Sequence, residues 1–103
     1  MSCIRVSIIR LVDGHQPGFV EIEFADANGT IHPLVDKVPV FSREQLWSDS
    51  VYPRPGFVRC EVLARSQDSE GRKLARLSIA KPDGLESATE LSGFVLLESQ
   101  ICE

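Results

Sequence analysis

Two histidines, each with an aspartate nearby in this 103-residue sequence, could support acid–base or metal chemistry. His15 follows Asp13 in a glycine-containing loop, and His32 precedes Asp36 after a turn. Imidazole and carboxylate groups suit a divalent metal, and histidine is the most common general base. Because both histidines adjoin turn residues, surface positions are the favoured interpretation. A small metal-dependent or hydrolytic enzyme that uses His15 or His32 is the alternative.

Other common signatures of catalysis and cofactor binding are missing from the sequence. Neither GxGxxG nor GxxxxGK[ST] occurs, and the glycines stand at turns instead. Glu21 and Glu23 share one face of a strand, but alternating glutamates are ordinary on a solvent-facing strand. We therefore predict no catalytic residues, no cofactor, no metal site and no enzyme activity.

The three cysteines are Cys3, Cys60 and Cys102, an odd number without paired metal-ligand spacing. This pattern argues against a disulfide framework and against a zinc site. Cys3 and Cys102 could meet if the terminal strands pair, which the sequence leaves open. Arg5 and Arg10 interrupt the apolar first twelve residues, so these residues do not resemble a signal peptide. We expect a cytoplasmic protein.

Alternating polar and apolar residues, typical of β-strands, recur along the chain. Residues 19–24 place three apolar side chains on one face and two glutamates on the other. Asn28-Gly29 is a tight-turn dipeptide, so residues 30–37 should return antiparallel. A two-residue turn would place Glu21 opposite Asp36, so a loop of three to five residues with a bulge is at least equally favoured. Residues 4–12 and 94–101 are predicted as the opening and closing strands.

A second predicted hairpin joins residues 57–65 to residues 72–80. With Arg65 opposite Arg72, Leu63 would face Leu74 on the solvent side as an exposed apolar pair, beside Glu61 opposite Arg76. Arginine around an apolar centre is typical of a protein interface. A solvated strand face is the equally favoured alternative. The four arginines of this predicted surface are Arg59, Arg65, Arg72 and Arg76.

The connection between the two hairpins is the second candidate surface. It contains Trp47 and Tyr52, and Arg54 between two prolines, and these residue types are frequent interface anchors. Ser42 and Gln45 have capping-box spacing and predict one short helical turn near residues 43–48. A loop tryptophan also often closes the end of a barrel, and this plug role is the favoured interpretation of Trp47.

Charge is distributed unevenly along the chain, which has a net charge of −4. Residues 1–53 carry a net −3, residues 54–81 a net +4, and residues 82–103 a net −5. A basic segment in an acidic protein permits weak binding of single-stranded nucleic acid. The aromatic content of 7% offers few stacking platforms, so a nucleic-acid partner is disfavoured.

The tetrapeptide PGFV occurs at residues 17–20 and 55–58 and predicts two similar hairpins, each of which begins with a strand after the glycine. Tyr52-Pro53-Arg54-Pro55-Gly56-Phe57, with the preceding Glu-rich strand, glycine turn and His32-Pro33, resembles the C-terminal antiparallel barrel of elongation factor Tu-type translation factors. The resemblance covers residues 19–65 and implies a six-stranded barrel with a binding role. The GTPase domain has no counterpart here, and Pro53 interrupts the family's pattern.

These patterns together predict one all-β domain over residues 1–103, a small antiparallel barrel of about six strands. We expect it to bind another macromolecule. A protein is the predicted partner, which could be a second copy of the chain, and no membrane partner is expected.

Overall fold

The computed structural model describes residues 2–15 and 18–102, which form strands with very little helix. In chain order the elements are β1 (Cys3–Asp13), β2 (Phe19–Ala25), β3 (Ile31–Lys37), α1 (Val38–Phe41), β4 (Arg54–Arg59), β5 (Glu61–Gln67), β6 (Lys73–Ser78), β7 (Gly93–Leu97), a 3-10 helix (Glu98–Gln100) and β8 (Ile101–Cys102). No helix in the described ranges is long and apolar enough to cross a membrane.

The strands form two antiparallel sheets. The first has the order β3-β2-β1-β4, with β8 beside the start of β1, and the second has the order β5-β6-β7. The antiparallel all-β prediction is confirmed. The two sheets are not closed into a barrel, so barrel closure stays a prediction. Two predicted strands are each divided: residues 57–65 between β4 and β5, and residues 94–101 by the 3-10 helix.

The strands that contain the two PGFV copies lie on either side of β1. Val20 of β2 is opposite Leu11, and Val58 of β4 is opposite Ile4. Both valines are completely buried. The first copy begins the β2–β3 hairpin as predicted, whereas the second copy lies in β4, which pairs with β1 and not with the strand that follows it. Pro17 of the first copy lies outside the described residues.

One buried apolar cluster lies between the sheets. Ile22 and Val58 enter it from the first sheet and Leu77 and Leu96 from the second, and all four are completely buried. Burying an aliphatic side chain of this size stabilises the fold by about 1.5–3 kcal/mol. Alternation places every second residue of β2 in this cluster, which explains why the period-two pattern predicted that strand.

The short helix lies earlier than the sequence predicted. Pro39 occupies the first turn of α1, where its fixed φ suits a helix and its missing N–H has no partner to lose. The backbone N–H of Glu44 donates to Ser42 Oγ at 3.0 Å, so Ser42 stabilises a local turn. Residues 43–48 are not helical, and the capping-box prediction is wrong.

A disulfide joins Cys3 to Cys102, with their Cα atoms 5.0 Å apart. The two residues are direct antiparallel partners in the β1–β8 pair. The sequence argued against a disulfide framework but left a contact between Cys3 and Cys102 open, and the structure contains this single bond. Cys60, the third cysteine, is buried in the core.

Candidate partner-binding surfaces

The register of the β5–β6 hairpin differs from the predicted one. Val62 lies opposite Leu77 and Ala64 opposite Arg76, with a bulge between the two pairs. Leu63 therefore does not face Leu74, which pairs with Ser66 and Leu97. Glu61 is likewise opposite Ser78, so the predicted Glu61–Arg76 pair does not form. The prediction failed because the strands extend further toward the turn than expected, so that Gln67 pairs with Lys73, and because the bulge shifts the register again at Leu63.

Leu63 instead shares a surface with residues of β6 and β7, the other two strands of the second sheet. Leu63 is 46% exposed and Val95 41% exposed, and Arg76 is directly opposite Val95 in the sheet. All three line a shallow hollow of about 320 Å³. We call Leu63, Arg76 and Val95 the Leu63 face. Leu74 is half-buried and contributes less exposed surface than the sequence predicted.

Three of the four predicted surface arginines are held by carboxylates. Arg59 pairs with Asp83, Arg65 with Glu98 at 2.8 Å, and Arg72 with Asp68 at 2.6 Å. Asp83 and Glu98 come from the acidic end of the chain, so these pairs offset two of the four net positive charges of residues 54–81. The field that favoured a nucleic-acid partner is correspondingly reduced.

The pKa shifts of these groups agree with this pairing. Hydrogen bonds from Arg72 lower the pKa of Asp68, and hydrogen bonding to Asp83 raises the pKa of Arg59. Arg72 also donates from Nη1 to the carbonyl oxygen of Ala27 at 3.0 Å. Arg72 therefore connects the turn of the β5–β6 hairpin to the turn of the β2–β3 hairpin.

Arg76 differs from the other three arginines. It is exposed, and within residues 2–15 and 18–102 no hydrogen bond or ion pair engages its guanidinium. Its neighbours across the sheet are Ala64 and Val95, which carry no charge. A guanidinium between apolar side chains is available to a carboxylate that approaches from outside.

Strand β5 is the outermost strand of its sheet and is largely solvent-exposed. Val62 is its half-buried residue, and the other six are exposed. In the described part of the chain β6 is the one strand that pairs with β5. The exposure of both faces from Ala64 onward shows that the end of the hairpin projects beyond the core. One backbone edge of β5 therefore faces solvent beside the Leu63 face.

The connecting loop presents its tryptophan to solvent. Trp47 is 53% exposed and Val51 79% exposed, whereas the Tyr52 hydroxyl donates to the Trp47 carbonyl oxygen at 2.8 Å. The plug role predicted for Trp47 is therefore wrong, and Phe41 and Leu46 are the buried residues of this region. Arg54 pairs with Glu44 at 2.6 Å.

The two histidines occupy different environments. His15 is exposed and its Nδ1 lies 2.7 Å from Asp13 Oδ1, as a surface position predicts. His32 is buried, which contradicts its predicted surface position: its ring centroid lies 4.7 Å from that of Phe94, and Nε2 is 2.8 Å from Asp26 Oδ2. The residues described contain no group of three or more side chains suited to holding a metal.

Asp26 forms the turn beside His32. Its Oδ1 accepts the backbone N–H groups of Asn28 at 2.9 Å and Thr30 at 3.0 Å. The hydrogen bond with His32, followed by these backbone donors, lowers the pKa of Asp26. Both carboxylate oxygens of Asp26 are hydrogen-bonded within the hairpin. The Asp26–His32 pair therefore stabilises the β2–β3 hairpin. An aspartate three residues before a turn glycine was the sequence signal for this role.

Comparison with known proteins gives no relative from which a role could be transferred. No family model, curated protein or solved structure matches the chain.

Proposed function

We propose that this protein is a protein-binding module that accepts an extended polypeptide segment at β5 and the Leu63 face. The segment adds to the open edge of β5 as a further strand. It places an aliphatic side chain on Leu63 and Val95 and a carboxylate on Arg76. The observation that carries this proposal is the exposed Arg76, which has no carboxylate within the described residues and lies next to a strand with one neighbour.

Strand addition divides affinity and specificity between backbone and side chains. Backbone hydrogen bonds along the edge hold any extended segment, and the side-chain surface selects among segments. Arg76 offers a planar, bidentate donor set for a carboxylate, whereas a lysine on the partner would be repelled. Acidic segments should therefore be preferred over basic segments of equal hydrophobicity.

The partner is a foreign protein in this proposal, and self-association is the second version to be tested. The resemblance to the barrel of elongation factor Tu-type translation factors agrees with a binding role, and we retain a closed barrel and that kinship only as proposals. A cytoplasmic location is also proposed. In that compartment the Cys3–Cys102 disulfide would form transiently, as cytosolic disulfides usually do.

The first test measures the affinity of capped peptides by fluorescence anisotropy. One peptide alternates valine and glutamate, and its control alternates valine and lysine. We expect the glutamate peptide to bind and Arg76→Gln to weaken it about tenfold, the effect of losing one charge-assisted hydrogen bond. Arg43→Gln is the matched control, because Arg43 lies over the Phe57 ring, 5.9 Å from its centroid. Equal affinities for the two peptides would refute the proposed role of Arg76.

The self-association version is tested by light scattering of the wild type beside Leu63→Asp. A wild-type dimer that becomes a folded monomer would identify a second copy as the occupant of this face. A wild-type monomer that binds the glutamate peptide would leave the foreign partner as the occupant.

A further inference from the structure

A polar hollow of about 420 Å³ lies beside the Cys3–Cys102 disulfide. Cys102, which is half-buried, forms part of its wall together with Arg5, Arg65, Glu98 and Ile101. The hollow therefore brings one cysteine of the disulfide, two arginines and one glutamate to one depression. Its residues do not include any of the Leu63 face.

Strand geometry explains why both arginines reach this place. Arg5 follows Cys3 by two residues in β1, so both side chains lie on the same face of the first sheet. Arg65 comes from β5 of the second sheet and pairs with Glu98 Oε1 at 2.8 Å. Arg5 donates from Nη1 to the carbonyl oxygen of Ser99 at 2.7 Å. The residues between β7 and β8 thus hold both guanidinium groups next to Cys102.

We propose that this hollow is a binding site for a small anionic thiol, for which glutathione is the test compound, and that Cys102 is the sulfur it attacks. Glu98 offsets one of the two guanidinium groups, so the lining of the hollow keeps one net positive charge. This charge binds the carboxylates of the thiol and favours its thiolate form, which is the attacking species. Cys102 is the target because it is one of the residues that line the hollow, and Cys3 is not. This inference is independent of the function proposed for the Leu63 face.

The exchange proceeds in two balanced steps. The thiolate of one glutathione donates an electron pair to Cys102 Sγ, the Cys3–Cys102 bond breaks, and Cys3 Sγ leaves as a thiolate that takes a proton from water. A second glutathione thiolate then attacks the glutathione sulfur of the mixed disulfide. Cys102 leaves as a thiolate, and oxidised glutathione is released. The protein disulfide is reduced, and two glutathione molecules are oxidised.

Opening this bond removes the covalent link between β1 and β8. The 3-10 helix before β8 also carries Gln100, whose Nε2 donates to the Ala25 carbonyl oxygen at 2.8 Å, and Glu98, which holds Arg65. These contacts join the two sheets.

The test compares the rates at which glutathione and the cationic thiol cysteamine reduce the full chain. Each rate is divided by the rate of the same thiol with hydroxyethyl disulfide, which removes differences in intrinsic reactivity. We expect the normalised rate to favour glutathione at low salt and the preference to disappear at about 1 M salt, where the Debye length is ~3 Å. Equal normalised rates for the two thiols at low salt would overturn the proposal.

Substitutions then identify which arginines cause the preference for glutathione over cysteamine. Arg5→Gln and Arg65→Gln should each reduce the preference for glutathione about fivefold, the effect of one charge pair in a water-like medium. Arg10→Gln is the matched control, because Arg10 is on the same strand as Arg5 but pairs with Glu21 at 2.7 Å. An equal loss in Arg10→Gln would show a general charge effect and refute the site.

Peptide mapping of the first mixed disulfide in the wild type completes the test without any substitution. We expect glutathione on Cys102. Glutathione on Cys3 would contradict the assignment, even if an arginine variant failed to fold.

Discussion

Strands β3 and β5 are both outermost strands, but only one of their edges is protected. Strand β3 contains Pro33, and the Pro33 carbonyl oxygen accepts the backbone N–H of Ala88 at 2.9 Å. Strand β5 contains no proline, and β6 is its one paired strand in the described ranges. Proline and a covering loop are common protections against edge-to-edge pairing. The first sheet therefore has the protected edge and the second sheet the open one.

The side chains also hold β3 more firmly than β5. His32 of β3 is buried against Phe24 and Phe94 and bonded to Asp26, so β3 is fixed from its inner face. Six residues of β5 are exposed, and β5 is attached by its pairing with β6 and by the Arg65–Glu98 ion pair near the surface. A binding site for an extended segment requires an open strand edge, on a strand that contributes little to the stability of the fold. This difference is why we place the function at β5.

The largest expected effect is a difference in stability between two truncations, one on β3 and one on β5. His32→Ala removes a buried ring and its bond to Asp26, and should lower the free energy of unfolding by about 2–4 kcal/mol. Leu63→Ala, at a position 46% exposed, should change it by less than about 1 kcal/mol. Urea unfolding measures both. Similar losses for the two variants would show that β5 is as structurally important as β3.

The second prediction concerns the acid sensitivity of the β3 side. Because the folded-state pKa of Asp26 is lowered from 3.8, the carboxylate contributes stability above its unfolded pKa and loses it as pH falls below that value. The urea midpoint of the wild type should therefore fall more steeply between about pH 4 and pH 2 than that of Asp26→Asn. Parallel pH profiles would exclude Asp26 as a stabilising group.

The smallest effect is expected from opening the protected edge. The outward direction of the Pro33 carbonyl indicates that the nitrogen of Pro33 also faces the free edge, where it has no N–H to offer. Pro33→Val restores this donor and should produce a small, concentration-dependent rise in mass by light scattering. The contact from Ala88 limits the rise. No change at any concentration would show that Ala88 alone protects β3.

The sequence predicted strands far better than their pairing. Alternation in residues 19–24 depends on neighbours in the chain, and β2 appeared where it was expected. How residues 57–65 pair depends on β1, which lies more than 50 residues away in the sequence. No local pattern shows that one strand ends and another begins on either side of Cys60. One wrong register then separated Leu63 from Leu74.

The sequence also could not predict which charged residues form pairs. The basic segment was correctly located in the chain, but its neutralisation by Asp83 and Glu98 follows from three-dimensional proximity. Arg76 could not be distinguished from Arg59 until both environments were known. The contact between Cys3 and Cys102 was recognised only as a possibility, because it required β8 to lie beside β1.

The most direct test of the account maps where the valine–glutamate peptide binds, by amide chemical shifts of ¹⁵N-labelled protein. We predict that the largest shifts occur in β5 and at Arg76 and Val95, with new protection of β5 amides from hydrogen exchange. The valine–lysine peptide should leave these signals unchanged. Shifts confined to β3 or to the loop around Trp47 and Val51 would contradict the claim that the open edge of β5 is the binding site.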